Sequence, residues 1–201
     1  MRFPLTVHTL AGMERLATLF GSSARLKMLR LFMFNKEAVF TLDEVIERTK
    51  LSKGVVRHEV VELLTCGLLR KKGERSSARY QTNPRYEHLS ALGVFIRETT
   101  SVRPQEIIAA LKRAGTLKLV ALSGHFTGIL EPQIDLLIVG DHLNDRALSR
   151  AVHALEADLG REIRYASFAT PDFRYRLGVY DRLVRDVFDY PHRLLIDKIG
   201  L

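Results

Sequence analysis

A chain of 201 residues, 46% hydrophobic and 27% charged with a formal net charge of +8, has an ordinary globular composition that suits one large or two small domains. It holds no apolar run of about 18 residues that would span a bilayer, and Met1-Arg2-Phe3-Pro4-Leu5 does not open a secretory leader, so a cytoplasmic location without membrane contact is expected. The single cysteine, Cys66, excludes an intramolecular disulfide and a cysteine-rich zinc site, and within Leu63-Leu64-Thr65-Cys66-Gly67-Leu68 it reads as core filler rather than a nucleophile.

The charge is unevenly spread. Residues 1–90 hold 16 Lys and Arg against 9 Asp and Glu, whereas residues 91–201 hold 15 against 14. A polyanion-binding module joined to a near-neutral domain has this asymmetry, and a solvated basic face is the plainer reading.

In chain order, Met13, Leu16, Ala17 and Phe20 mark one face of a first helix that ends at Gly21. Ser22 or Ser23 caps a second, with Leu26, Met28, Leu29, Leu31 and Phe32 as a broad buried stripe. Thr41-Leu42-Asp43-Glu44 is a capping box and opens a short helix with Leu42, Val45 and Ile46 inward. Leu51-Ser52-Lys53-Gly54 then turns the chain into a helix from Val55 to Thr65, stopped by Gly67. Val56, Val60, Leu63 and Leu64 line its inner face; Lys53, Gly54, Arg57, His58 and Val61 point outward near its start.

Two short helices in succession, the second opening on basic and small residues, provide the geometry of a recognition helix. The segment from Leu68 to Asn83 reads as a β-hairpin carrying Arg70, Lys71, Lys72, Arg75 and Arg79, placed to touch a nucleic-acid backbone. Tyr86 to Thr99 returns to helix with Leu89, Leu92, Phe95 and Ile96 apolar.

Three segments in this order resemble the ArsR/MarR-type winged helix-turn-helix regulators. They are Phe20-Gly21-Ser22-Ser23-Ala24-Arg25-Leu26 through Phe32, then Leu51-Ser52-Lys53-Gly54-Val55-Val56-Arg57-His58, then Gly67-Leu68-Leu69 with the basic hairpin and Tyr80. The resemblance covers about residues 11–98. It implies a dimeric, double-stranded-DNA-binding transcriptional regulator whose contacts are Ser52, Lys53, Gly54, Arg57, His58, Lys71, Lys72, Arg75 and Arg79. No metal-sensing cysteine pair is present, so metal-released repression is not implied.

Past the junction Ser101-Val102-Arg103-Pro104, a helix with Ile107, Ile108 and Leu111 inward stops at Gly115. Leu117–Leu122 is a strand, Ser123-Gly124-His125-Phe126 a turn, and Ile134–Gly140 a second, buried strand. Asn144 caps a helix that runs to Leu159-Gly160, Ile163–Phe168 is a third strand, and Thr170-Pro171-Asp172 opens another helical stretch before an apolar end at Leu194-Leu195-Ile196. This mixture is a small α/β domain.

The strand, Ser-Gly turn and Ile134-Asp135-Leu136-Leu137-Ile138-Val139, with the later Tyr165-Ala166-Ser167-Phe168-Ala169-Thr170-Pro171-Asp172, look like the nucleotidyltransferase fold of the DNA polymerase β superfamily, over about residues 104–201. That family's chemistry needs a Gly-Ser turn for the triphosphate and paired carboxylates for two divalent metals. Gly124 fits, but His125 stands where the serine belongs. Asp135 fits, but Gln133 replaces the first carboxylate, and Arg164 and Ala166 supply no third. A neutral amide cannot provide the charge that two magnesium ions demand.

The expected organisation is α+β, with a winged helix-turn-helix domain over 1–100 and a degenerate nucleotidyltransferase-like domain over 101–201. No catalytic residue, resident metal or cofactor is expected. An active nucleotidyltransferase is the alternative. Gly124, His125 and Asp135 are candidates for holding a nucleotide or small-molecule effector; the second domain could equally serve packing or dimerisation, with Asp135 capping a turn or pairing with an arginine.

Overall fold

In the structure, a computed structural model that describes residues 16–73, 78–100, 102–129 and 132–201, these local signals become a mixed α and β architecture with two small sheets. The chain divides into two compact units, Met1–Ser101 with Ala157–Arg161 and Val102–Glu156 with Glu162–Leu201. No helix among the described residues is long and apolar enough to cross a membrane.

In the first unit, residues 16–19 are helical and Gly21 leaves the helix in the left-handed region (φ 80°). Ser22 then caps α1 (Ser23–Phe34), its hydroxyl accepting from the Arg25 amide at 2.9 Å. Leu26, Met28, Leu29, Leu31, Phe32 and Met33 are buried around the whole circumference of α1, which makes it the central helix of this unit's core. Phe40–Thr41 forms β1, and Thr41 immediately caps α2 (Leu42–Thr49). The Glu44 amide donates to Thr41 Oγ1 (3.3 Å) while Glu44 Oε2 accepts from the Thr41 amide (2.7 Å). The Thr41 amide and the Thr41 hydroxyl, both donating to Glu44 Oε2, outweigh the small cost of burial and hold the Glu44 carboxyl below its ordinary pKa, the amide contributing most.

α3 (Lys53–Thr65) follows, and Gly67 in the left-handed region (φ 80°) turns the chain into β2 (Leu69–Lys72). β3 (Arg79–Thr82) pairs antiparallel with β2, Leu69 opposite Thr82 and Lys72 opposite Arg79, and β1 adds to the other edge of β3 for a sheet ordered β1-β3-β2. α4 (Leu89–Thr99) closes the unit with Ile96 fully buried.

Several details differ from what the sequence predicts, among them the start of α3 at Lys53 rather than Val55. β1 is an additional strand. The last helix starts at Leu89 rather than Tyr86, because Asn83 spends 83–88 on turns: its Oδ1 accepts from the Arg85 amide (3.1 Å) and its carbonyl from the Tyr86 amide (3.1 Å). Cys66 is exposed, not core filler, since α3 ends at Thr65 and leaves Cys66 at the outward C-cap.

The second unit begins with α5 (Pro104–Leu111), Pro104 in its first turn, and a single 3-10 turn at Lys112–Ala114. β4 (Thr116–Leu122) and β5 (Leu136–Asp141) are antiparallel; α6 (Asp145–Leu159) then carries the chain to β6 (Tyr165–Phe168), parallel to β5. α7 (Thr170–Gly178) and α8 (Arg182–Phe188) precede β7 (Arg193–Asp197), which returns antiparallel to β4. The order is β6-β5-β4-β7, so the apolar end Leu194-Leu195-Ile196 is an edge strand. Leu119–Leu122 and Leu136–Val139 are buried without alternation, as strands covered on both faces require. Phe173, Val184 and Val187 of α7 and α8 pack on one of those faces.

Candidate nucleic-acid interface

α3 is held to its unit by one apolar line and one ionic clamp. Val56, Val60 and Leu63 are buried. Glu59, 3% exposed, falls on the same side. One of its carboxylate oxygens accepts from Ser22 Oγ (2.9 Å) and the other from Arg25 Nε (2.8 Å), while Arg25 also lies 3.6 Å from Glu62. A buried carboxylate survives because both oxygens are hydrogen-bonded and its charge is matched. The clamp fixes the start of α1 against the middle of α3.

With that face committed, Ser52, Lys53, Gly54, Arg57 and His58 are all exposed. Helical periodicity puts Gly54, His58, Val61 and Thr65 along one outward line with Arg57 beside it. Ser52 occupies the N-cap in extended conformation, but its hydroxyl makes no capping hydrogen bond, which leaves the first-turn amides of α3 without a side-chain acceptor. Nothing lies within 4 Å of where a Cβ on Gly54 would sit. No internal contact therefore requires glycine there.

Lys71, Lys72 and Arg79 are likewise exposed on the hairpin; Arg75 lies outside the described residues. All three cations of β2 face solvent, with only Leu69 of that strand buried. Arg70 is steadied by a hydrogen bond to Gln81 Oε1 (2.9 Å), and Arg79 is close enough to Glu44 to stabilise its carboxylate. Among the described residues, Lys53, Arg57, Lys71 and Lys72 take part in no ion pair. The hairpin is tied to the end of α3 by Asn83, whose side chain donates to Gly67 O (2.9 Å) and whose amide donates to Leu68 O (2.8 Å).

In the second unit the structure brings Gly124, His125 and Asp135 together. Asp135, 1% exposed, accepts four hydrogen bonds. Oδ1 takes the His125 amide (2.8 Å) and Arg164 Nη2 (2.9 Å), and Oδ2 takes the Arg164 amide (3.0 Å) and Arg164 Nε (3.0 Å). Burial pushes its pKa up, but the Arg164 guanidinium and the two amides push harder and hold it below the ordinary value. Both lone pairs on each oxygen are occupied, which leaves none for a cation. Gly124 sits at φ 52°, and a Cβ there would collide with Asp135 Oδ1, so the glycine serves this close approach. Gln133 is exposed, its backbone N–H donating to Asp186 Oδ2 at 2.5 Å. No group of three or more His, Cys, Asp or Glu suited to a metal ion occurs among the described residues.

A third feature carries no signal in the sequence. Around the end of α7, Tyr175, Val179 and Tyr180 are 71%, 54% and 77% exposed. Tyr175 and Val179 border a shallow cleft of about 360 Å³ that Phe168, Asp172, Arg176 and Asp181 also line. Arg176 stacks on Phe168 at 4.8 Å and pairs with Asp181 at 2.8 Å. Helical spacing alone gives Tyr175 no distinguishing mark, and Tyr180 depends on a left-handed turn (φ 55°) between α7 and α8.

Comparison of the chain with protein families, curated proteins and solved structures returns no match.

Proposed function

We propose that the first unit is a winged helix-turn-helix module that binds double-stranded DNA, and that the chain is a cytoplasmic, homodimeric transcriptional regulator. The observation that carries this reading is the outward surface of α3 and β2. Lys53, Arg57, Lys71 and Lys72 are exposed there without a carboxylate partner among the described residues. Fixed cations on a short helix and on the hairpin that follows it match the repeating phosphates of a duplex. In this reading α2 and α3 form the helix-turn-helix, α3 enters the major groove, and β2–β3 is the wing. The first-turn amides of α3 offer donors to a phosphate, and Gly54 lets the backbone come close.

A mobility-shift experiment with a random-sequence duplex at about 50 mM salt tests the proposal, retarded complex being the expected result. Gly54→Ala separates the functional use of this surface from folding. Alanine meets no internal obstacle and has the higher helix propensity, so the chain should gain up to about 0.5 kcal/mol in denaturant unfolding. Affinity for the same duplex should fall several-fold. A variant that is more stable and binds equally well removes the close-approach role of Gly54.

The second unit is read as nucleotidyltransferase-like, without transferase activity, serving effector sensing or assembly. Supporting this, Asp135 spends all four lone pairs on Arg164 and the His125 amide. Incubation with magnesium and nucleoside triphosphates is expected to release no pyrophosphate. Release that disappears in Asp135→Asn while the variant remains folded in the same buffer would establish the transferase instead.

A further inference from the structure

We propose that Val61 reads sequence, packing its γ-methyls against the C5-methyl of a thymine in the major groove; this rests on the DNA-binding reading above. Val61 is 58% exposed and belongs to no core cluster. A β-branched side chain in mid-helix lowers helix propensity, and here no burial offsets it. Its neighbours on the outward line are Gly54, His58 and Thr65, while Lys53 and Arg57 stand to one side and Lys71 and Lys72 follow on the hairpin. The face of α3 thus carries no Lys, Arg, Asp or Glu along its centre, is partly apolar there, and is basic at one margin.

That division fits one occupant. Phosphates line the edges of the major groove and match the cations at the margin. The base edges lie on its floor, where the one apolar group is the thymine methyl. From Gly54 to Val61 the helix rises about 10 Å, roughly three base-pair steps. Gly54 and Val61 therefore stand about three base-pair steps apart along the groove, with His58 between them and Val61 furthest along. Glu62, next in sequence, lies 3.6 Å from Arg25 and falls to the other side of the line, away from Lys53 and Arg57.

The test uses the full chain. Duplexes are selected from a random pool by wild-type protein, and each thymine of the enriched site is replaced in turn by deoxyuridine, which removes only the methyl. One position is expected to weaken wild-type binding about three- to fivefold, the scale of one buried methyl contact. Val61→Ala, which favours the helix and so preserves folding, should bind the thymine duplex that much more weakly and show no further loss with deoxyuridine. Val61→Thr, which keeps one methyl, should respond in between. A site with no deoxyuridine-sensitive position, or one equally sensitive in wild type and Val61→Ala, overturns the Val61 assignment and leaves DNA binding standing. A pool that is retained without enrichment also overturns the Val61 assignment alone, whereas a pool from which no duplex is retained overturns DNA binding itself.

Discussion

Replacing Lys53 and Arg57 together by alanine should weaken duplex binding ten- to a hundredfold at about 50 mM salt while leaving unfolding unchanged. Both side chains are exposed and neither joins an ion pair among the described residues, so their removal takes nothing from the fold. Each cation that neutralises a phosphate releases a condensed counterion, and the release drives association most strongly at low salt. The loss should therefore shrink as salt rises. A purely structural role would give the reverse pattern, with reduced stability and a loss independent of ionic strength. Equilibrium titration of wild type and variant at several salt concentrations separates the two.

The second large effect concerns the second unit. Asp135→Asn should destabilise it by about 3 kcal/mol in denaturant unfolding, the lower end for breaking a buried ion pair. Arg164 is 44% exposed and can turn to water, so most of the cost falls at the buried position. There an amide NH2 would face donors from His125 or Arg164. The pH dependence has a definite sign. Asp135 is held below its unfolded pKa, which is about 3.9. Its stabilisation is thus fully present above that value and is lost as pH falls through the folded one. The stability gap between wild type and Asp135→Asn should be constant from about pH 7 to pH 5 and close in stronger acid. A gap that widens in acid would contradict the ion-pair account.

What could be read from sequence and what could not divides by distance along the chain. The Thr41-Glu44 capping box, the Gly67 stop and the buried stripe of α1 were legible because each is set within a turn or two of helix. Glu59 was not. It lies on the apolar face of α3, and only Ser22 and Arg25, more than 30 residues earlier, make its burial tolerable. β1 has two residues, too few to display a period, and is a strand only because β3 comes alongside. β7 looked like an apolar tail because its partner β4 lies some 70 residues upstream.

The second unit's site shows the same limit. Gly124 and Asp135 stood out as fragments of a nucleotidyltransferase motif, with pairing to an arginine as the plainer reading of Asp135. In the sequence Arg164 stands only where a third acid would belong. In three dimensions it is the cation that Asp135 holds, and Gly124 provides the clearance for the Asp135 carboxylate. The exposed candidates on α3 and the hairpin raise a different difficulty. Their exposure follows from helical period and strand pairing, but exposure is a precondition for binding rather than its proof.

The salt dependence of duplex binding is therefore the most direct measurement. If Lys53, Arg57, Lys71 and Lys72, with Arg70 and Arg79 beside them, meet phosphates, the logarithm of the association constant should fall linearly with the logarithm of salt, with a slope of about −4 to −5. Lys53→Ala/Arg57→Ala should reduce that slope by about two. No complex at 50 mM salt, or binding indifferent to salt, would contradict DNA recognition by this surface.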